Sequence, residues 1–236
     1  MLKRIISNIP NTITCLSLVC GCGAIIASFG SYMNVGGLSC FEWAFILIGI
    51  AAVCDFLDGA LARLLHAYSN LGKQLDSLSD LVSFGVAPGM LVYNMISVST
   101  GSWWPGLFAI LIPVCGEIRL AKFNIDDRQT TSFLGLPIPA NAIFWIGACS
   151  FISTYGYPGD AVMIAFILLI SLMMVFTRLK MFSLKFKNLG LKGNMRRYIV
   201  LVGAVVFVSF FGIAGLSLSI IFYILLSLIP ESRHQA

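Results

Sequence analysis

Long apolar runs, separated by short polar connections, constrain this chain more than any other feature. A helix needs roughly 20 apolar residues to cross the ~30 Å hydrocarbon core of a bilayer, where its backbone polar groups must be satisfied internally. The composition agrees, because 58% of the 236 residues are hydrophobic and only 11% are charged. We therefore predict an all-α integral membrane protein, a single domain over residues 1–236 that forms a polytopic helical bundle.

Eight of the apolar runs are predicted as membrane spans. They lie near residues 11–30, 41–66, 72–97, 104–124, 139–156, 159–178, 196–212 and 214–230. The last two form one continuous apolar stretch, which we interpret as a hairpin that turns near Gly212 and Gly215. An even number of spans puts both termini on the same side of the membrane.

The positive charges all fall on one side of this predicted topology. Lys and Arg gather in cytoplasmic loops, and with both termini inside, all 15 Lys and Arg residues lie on inner segments. Their density is highest in Arg178–Arg197, which could bind anionic lipid headgroups, although topology control explains it equally well. The chain has no room for a folded basic domain, so we expect membrane lipids as partners and no nucleic acid.

Four aspartates interrupt the apolar pattern between spans two and three. Asp55 and Asp58 are three positions apart, and Asp76 and Asp80 are four apart, so each pair shares one face of a helix. A short inner connection between the two helices would bring both pairs together near their cytoplasmic ends. Ionisable residues within spans are costly and are therefore candidates for a functional site.

Four neighbouring carboxylates need a counter-charge, because like charges repel. Two divalent cations would provide it, and hard oxygen ligands without His or Cys favour Mg²⁺ or Mn²⁺ over Zn²⁺. Two such ions about 4 Å apart commonly support in-line displacement at phosphorus. A cation-coupled transporter also uses buried carboxylates, although its site would lie near the membrane midplane.

Small and basic residues beside the aspartates fit a phosphate-containing substrate. Gly59, Ala62 and Gly72 would let a flat, bulky group approach the backbone closely. Arg63 follows at the predicted end of the helix, where it could pair with a phosphate. Small residues that only pack helices are the alternative for each position taken alone.

The whole pattern, Asp55-x2-Asp58-Gly59-x2-Ala62-Arg63-x8-Gly72-x3-Asp76-x3-Asp80, resembles the signature of the CDP-alcohol phosphatidyltransferase family at all eight positions. The resemblance implies that Asp55, Asp58 and Asp76 bind one metal ion. It implies that Asp55, Asp76 and Asp80 bind the other, with Asp80 as the general base. It further implies that Gly59, Ala62 and Gly72 lie against a cytidine nucleotide, that Arg63 holds its diphosphate, and that the protein is a homodimer.

Other segments extend this resemblance along the chain. The start of the first span, Pro10–Thr14, also resembles the family, which adds Asn11 and Thr14 to the implied nucleotide site. Ser77–Gly89, Arg119–Asn124 and Gly135–Ala140 resemble the phosphatidylserine synthase branch in particular. That branch implies transfer of the phosphatidyl group from CDP-diacylglycerol to L-serine at the cytoplasmic face, with release of CMP. Glycerol 3-phosphate or inositol phosphate is the alternative acceptor.

Serine carries a carboxylate and an ammonium group beside its hydroxyl, so its pocket should contain a cation. Arg119, Lys122 and Asn124 are the nearest sequence candidates for binding the carboxylate. Lys122 stands where we expect an arginine, which keeps the charge but loses the two-pronged geometry of a guanidinium. Charges that face lipid headgroups are the alternative for these positions.

Overall fold

The computed structural model describes residues 8–30, 33–125, 133–176, 180–182, 190 and 194–229. Its α-helices are α1 (Ile9–Phe29), α2 (Cys40–Leu64), α3 (Asn70–Asp80), α4 (Ala87–Thr100), α5 (Leu111–Ile125), α6 (Ile138–Tyr155), α7 (Asp160–Val175), α8 (Met195–Phe211) and α9 (Gly215–Leu228). A π-helical turn (Leu81–Val86) joins α3 to α4, while 3₁₀ turns precede α5 (Pro105–Ile110) and α9 (Gly212–Ala214).

Helices occupy all eight predicted intervals, with ends displaced by a few residues. Within the described residues, four helical segments are long and apolar enough to cross a membrane: Ile9–Phe29, Cys40–Leu64, Asn70–Thr100 and Met195–Leu228. The Asp160–Val175 helix is apolar but shorter. These segments fit an all-helical membrane protein. The number of crossings and the cytoplasmic position of both termini stay predictions.

Two short antiparallel β ladders were not predicted. β1 (Asn34–Val35) pairs with β2 (Leu38–Ser39), and β3 (Phe133–Leu134) pairs with β4 (Lys180–Met181). The turn between β1 and β2 contains Gly36 and Gly37, both with positive φ, as tight hairpin turns require. Strands of two residues are too short to show the alternating pattern from which strands are predicted.

Side-chain hydrogen bonds join α1 to the segment that runs from α3 to α4. Three buried side chains donate hydrogen bonds to α1. Ser79 Oγ donates to the Thr14 carbonyl at 2.9 Å, and Ser83 Oγ donates to the Ser17 carbonyl at 3.0 Å. Asn94 Nδ2 donates to Ser28 Oγ at 3.0 Å. Interhelical hydrogen bonds of this kind hold membrane helices in register. The position of α1 along the bundle is therefore tied to the helix that carries Asp76 and Asp80.

The π-helical turn directly follows Asp80. Its Phe84 carbonyl accepts a hydrogen bond from Asn141 Nδ2 at 3.0 Å, and Asn141 Oδ1 accepts from Trp145 Nε1, also at 3.0 Å. A π turn disturbs the regular backbone ladder, and here a buried amide satisfies one of its carbonyls. The apolar core surrounds this network and includes fully buried Ile48, Leu91 and Ile112.

The final apolar stretch folds as a hairpin, as predicted. Gly212 has a φ of 58° and ends α8, and the Phe207 and Phe222 rings pack edge to face across the two helices. Arg196 Nη1 donates to the Ile229 carbonyl at 2.9 Å, joining the start of α8 to the end of α9. Most of the predicted basic segment Arg178–Arg197 lies outside the described residues.

Candidate active site

The connection between α2 and α3 brings the two aspartate pairs to the same level of the bundle. After α2 ends, His66 adopts a left-handed conformation (φ 49°) and Ala67 N–H donates to the Ala62 carbonyl at 2.9 Å, a common way to end a helix. Ser69 then caps α3 by accepting from Gly72 N–H at 2.9 Å. The chain thus reverses within a few residues.

Three of the four aspartates form a compact carboxylate group. Oxygen atoms of Asp55, Asp76 and Asp80 all lie within 4.8 Å of one another, and each side chain is half-buried. Asp55 reaches this group from α2, while Asp76 and Asp80 reach it from successive turns of α3. The spacing of the aspartates therefore brings together carboxylates from two helices, as predicted.

Asp58 differs from the other three. It is buried, and its Oδ2 accepts a hydrogen bond from Thr14 Oγ1 on α1 at 2.5 Å. It is not part of the group of carboxylates within 4.8 Å. The prediction that all four aspartates converge at one point is therefore met by three, because Asp58 turns toward α1.

A cavity of about 630 Å³ opens beside the carboxylates. Its walls include all six residues predicted for the nucleotide site: Asn11, Thr14, Gly59, Ala62, Arg63 and Gly72. Asp58 and Asp76 also line it, so the cavity and the carboxylate group share Asp76. The arrangement can accommodate a phosphate-containing ligand, with Arg63 on one wall and acidic side chains on another.

The two glycines of the cavity serve different purposes. Among the described residues, a Cβ atom on Gly59 would meet nothing within 4 Å, so this side of α2 is open toward the cavity. A Cβ atom on Gly72 would lie 2.9 Å from Asn11 Oδ1 and 3.0 Å from Ser69 Oγ. Gly72 thus permits close packing within the protein, whereas Gly59 leaves space for a ligand.

The serine-site candidates lie on α5 and are not among the residues that line the cavity. Arg119 is only 6% exposed, which does not fit the alternative of a charge facing lipid headgroups. Lys122 Nζ donates to the Val175 carbonyl at the end of α7 at 3.3 Å, which gives it a structural contact. Asn124 Nδ2 donates to Ser77 Oγ at 2.8 Å, so this end of α5 contacts α3 next to Asp76.

Comparison with known proteins identifies the family. A family model described as CDP-alcohol phosphatidyltransferase matches residues 7–208. The chain belongs to the CDP-alcohol phosphatidyltransferase family. Membership in this enzyme family argues against the alternative of a cation-coupled transporter. The resemblance to the family found in the sequence is confirmed.

Three similar curated proteins are each named CDP-diacylglycerol–serine O-phosphatidyltransferase. The Bacillus subtilis protein is 38% identical over 149 residues, which is 63% of this chain and 76% of that protein. The Methanocaldococcus jannaschii protein is 39% identical over 132 residues, 55% of this chain and 63% of that protein. The Helicobacter pylori (strain 26695) protein is 32% identical over 171 residues, 70% and 68% respectively. The match thus spans less than two thirds of the Methanocaldococcus protein.

The carboxylate group fits the divalent cations that this family is known to use. Its donor atoms are carboxylate oxygens from Asp55, Asp76 and Asp80. Hard oxygen donors suit Mg²⁺ and Mn²⁺, and three negative charges at such short range favour a bound cation.

Sequence reasoning missed several residues that line the cavity of this phosphatidyltransferase. Lys73 is the most informative, because it lines the cavity while its Nζ donates to the Asn124 carbonyl at 2.9 Å. Tyr68, Ser69 and Asn70 also line it, from the α2–α3 connection. The spacing offered one signal, since Lys73 lies three residues before Asp76 and therefore on a similar helix face.

Proposed function

We propose that this phosphatidyltransferase transfers the phosphatidyl group of CDP-diacylglycerol to the hydroxyl of L-serine, yielding phosphatidylserine and CMP. One observation carries the proposal: a cavity containing all six predicted nucleotide-site residues shares Asp76 with a group of three carboxylates. The relatives' common name supports serine as the acceptor.

The nucleotide half of CDP-diacylglycerol would occupy the cavity. Gly59 and Ala62 leave room for the cytidine, and Arg63 pairs with the diphosphate. Asn11 and Thr14 on α1 and Gly72 on α3 form the facing wall. The acyl chains would extend sideways into the bilayer, since the cavity lies at the ends of apolar helices.

The reaction would be a direct displacement at the phosphorus that carries diacylglycerol. The serine oxygen forms the new P–O bond, and the bond from that phosphorus to the oxygen bridging to CMP breaks. Asp80 takes the proton from the serine hydroxyl, because a carboxylate within hydrogen-bond reach can act as the general base. CMP leaves with the bonding electron pair.

Two divalent cations, Mg²⁺ or Mn²⁺, complete the proposed site. Asp55, Asp58 and Asp76 would hold one ion, and Asp55, Asp76 and Asp80 the other. When bound, these ions neutralise the diphosphate and stabilise charge on the attacking and leaving oxygens. Asp58 would contribute from its position beside Thr14, at the edge of the three-carboxylate group.

Serine would bind between the carboxylate group and α5. Arg119 provides a buried positive charge for the serine carboxylate, and Asn124 is held against α3 by Ser77. Lys122 adds positive charge near the end of α7. A site with paired polar groups is needed to reject other alcohols, since shape alone discriminates weakly.

The decisive experiment is CMP release by detergent-purified protein with CDP-diacylglycerol and Mg²⁺ or Mn²⁺. Serine, glycerol 3-phosphate, inositol phosphate and no acceptor are compared. We expect release that requires serine and stops with a chelator. Release driven by another alcohol would keep the phosphatidyl transfer and overturn serine as its acceptor.

We also propose that the site faces the cytoplasm and that the protein is a homodimer. Tyr68→Cys, at the cavity, should resist a membrane-impermeant maleimide in intact cells, and Ser102→Cys, before α5, should react. The wild-type chain, labelled in the same way, measures the reaction of the seven native cysteines. Light scattering of the purified protein tests the dimer, and a monomeric mass would contradict it.

A further inference from the structure

Thr14 connects the two helices that carry the aspartates. It lies on α1 and is 5% exposed, and its hydroxyl donates to Asp58 Oδ2 on α2. Its backbone carbonyl accepts the hydroxyl of Ser79 on α3 at 2.9 Å. Ser79 is 3% exposed and directly precedes Asp80. One residue of α1 thus contacts both halves of the candidate active site.

The Thr14 hydroxyl has one proton and two neighbouring acceptors. They are Asp58 Oδ2 at 2.5 Å and the Pro10 carbonyl at 3.1 Å. A hydroxyl donates preferentially to a carboxylate, because hydrogen bonds to charged acceptors are roughly twice as strong as neutral ones. Asp58 is itself buried, and a buried carboxylate needs such a donor. The Thr14 hydroxyl therefore donates its hydrogen bond to Asp58 and not to the Pro10 carbonyl.

We propose that Thr14 is a positioning residue that orients Asp58, and not a residue that binds the nucleotide through its hydroxyl. The bond to Oδ2 would hold the Asp58 carboxylate on the α1 side and fix how it is presented to a divalent cation. The Ser79 bond holds α3 to the same point of α1, so Asp58 keeps its position relative to Asp76 and Asp80. This inference rests on the proposed function, since it assigns Asp58 to cation binding.

Two other roles for Thr14 give different results. A hydroxyl that binds the nucleotide would affect the KM for CDP-diacylglycerol but not cation binding without nucleotide. If Thr14 only packs the helices together, removal of its hydroxyl without a change of shape should leave Mn²⁺ binding unchanged. Thr12 provides a matched control, because its hydroxyl donates to the Asn8 carbonyl on the exposed side of the same helix, at 3.1 Å.

The test is titration of the detergent-purified protein with Mn²⁺ in the absence of nucleotide and serine, with free Mn²⁺ measured by electron paramagnetic resonance. Thr14→Val should weaken Mn²⁺ binding about tenfold or more, the usual effect of losing a residue that orients a metal ligand. Thr14→Ser keeps the hydroxyl and should bind Mn²⁺ nearly as the wild type does. Thr12→Val should leave the affinity unchanged.

Unchanged Mn²⁺ affinity in Thr14→Val, with a raised KM for CDP-diacylglycerol, would overturn the proposal in favour of nucleotide binding. Weaker Mn²⁺ binding in Thr14→Ser together with wild-type affinity in Thr14→Val would overturn it in favour of packing, because valine keeps the shape of threonine and serine keeps only the hydroxyl. Thr14→Ala replaces Thr14→Val if the valine variant does not purify in folded form. Wild-type protein that binds Mn²⁺ but releases no CMP with serine would overturn only the proposed function, and a wild type without Mn²⁺ binding would overturn this inference.

Discussion

Asn124 Nδ2 on α5 donates a hydrogen bond to Ser77 Oγ on α3, with 2.8 Å between the two atoms. Ser77 adjoins Asp76 in the sequence, so the bond places a proposed serine-site residue beside the carboxylate group. The Asn124 carbonyl also accepts from Lys73, which lines the cavity. The end of α5 is therefore joined to α3 at two points, where the proposed acceptor and nucleotide sites meet.

Removal of the Asn124 amide should weaken serine binding selectively. We expect Asn124→Ala to raise the KM for serine about fivefold, the equivalent of one hydrogen bond of ~1 kcal/mol, with little change in the KM for CDP-diacylglycerol. Initial-rate measurements of CMP release check this. Ser77→Ala removes the same bond from the other side, so the double variant should be no worse than Asn124→Ala. Equal increases in both KM values would contradict the assignment.

A methyl group on Gly59 should interfere with the nucleotide without harming the fold. In the described part of the chain, an added Cβ atom would meet no neighbour within 4 Å, and Ala in a helix is ~1 kcal/mol more favourable than Gly. Gly59→Ala should therefore melt no lower than wild type while the KM for CDP-diacylglycerol rises.

Gly49→Ala is the matched control for this experiment. Gly49 lies on the same helix, has equally open space at an added Cβ among the described residues, and does not line the cavity. It should keep the wild-type KM. An unchanged KM in Gly59→Ala as well would show that the nucleotide does not approach this face of α2.

Divalent cations should stabilise the protein through the carboxylate group. A ligand at one hundred times its Kd adds about 2.7 kcal/mol to the free energy of unfolding, so Mg²⁺ or Mn²⁺ should raise the melting temperature. Asp80→Asn should reduce this shift. In the presence of a chelator the same variant should melt above wild type, because it removes one of three mutually repelling charges.

Asp160→Asn is the control, since Asp160 accepts from the Tyr157 hydroxyl at 2.7 Å at the start of α7 and an amide oxygen can do the same. It should keep the full cation-dependent shift. Scanning fluorimetry in detergent measures the melting temperatures of the wild type, Asp80→Asn and Asp160→Asn with and without the cation. A full shift in Asp80→Asn would argue against cation binding by this aspartate.

The close approach of α1 to the π-helical turn should not tolerate a larger residue. A Cβ atom on Gly21 would lie 2.8 Å from the backbone Cα of Ser83, which cannot move away as a side chain could. Gly21→Ala should lower the free energy of unfolding by about 1–3 kcal/mol, as overpacking typically does. Thermal unfolding in detergent measures this loss.

Gly23→Ala gives the contrast on the same helix. Its Cβ atom would meet only the end of the Leu47 side chain among the described residues, at 3.3 Å, and that side chain can rotate. We expect a small effect on the melting temperature. Similar losses in both variants would mean that α1 does not approach the π-helical turn so closely.

Local sequence pattern, without any tertiary contact, determined much of this protein. Apolar run length located the helices, because each must bury about 20 residues in the hydrocarbon core or among its neighbours. The three- and four-residue spacing of the aspartates determined which carboxylates share a helix face, since that spacing is a property of the α-helix itself. The small and basic residues beside the aspartates indicated Gly59 and Arg63, which line the cavity.

Contacts between distant segments decided the rest. Asp58 accepts a hydrogen bond from Thr14, 44 positions earlier, and lies outside the group of three carboxylates, and no periodicity in α2 indicates that partner. Arg119 is buried, and Asn124 meets Ser77, only because α5 packs beside the π-helical turn that continues α3. The sequence alone determined the identity and helix positions of the residues proposed to carry the chemistry. Packing of α1, α3 and α5 decided how those residues face one another, because helix spacing sets the direction of a side chain but not the identity of the neighbour it meets.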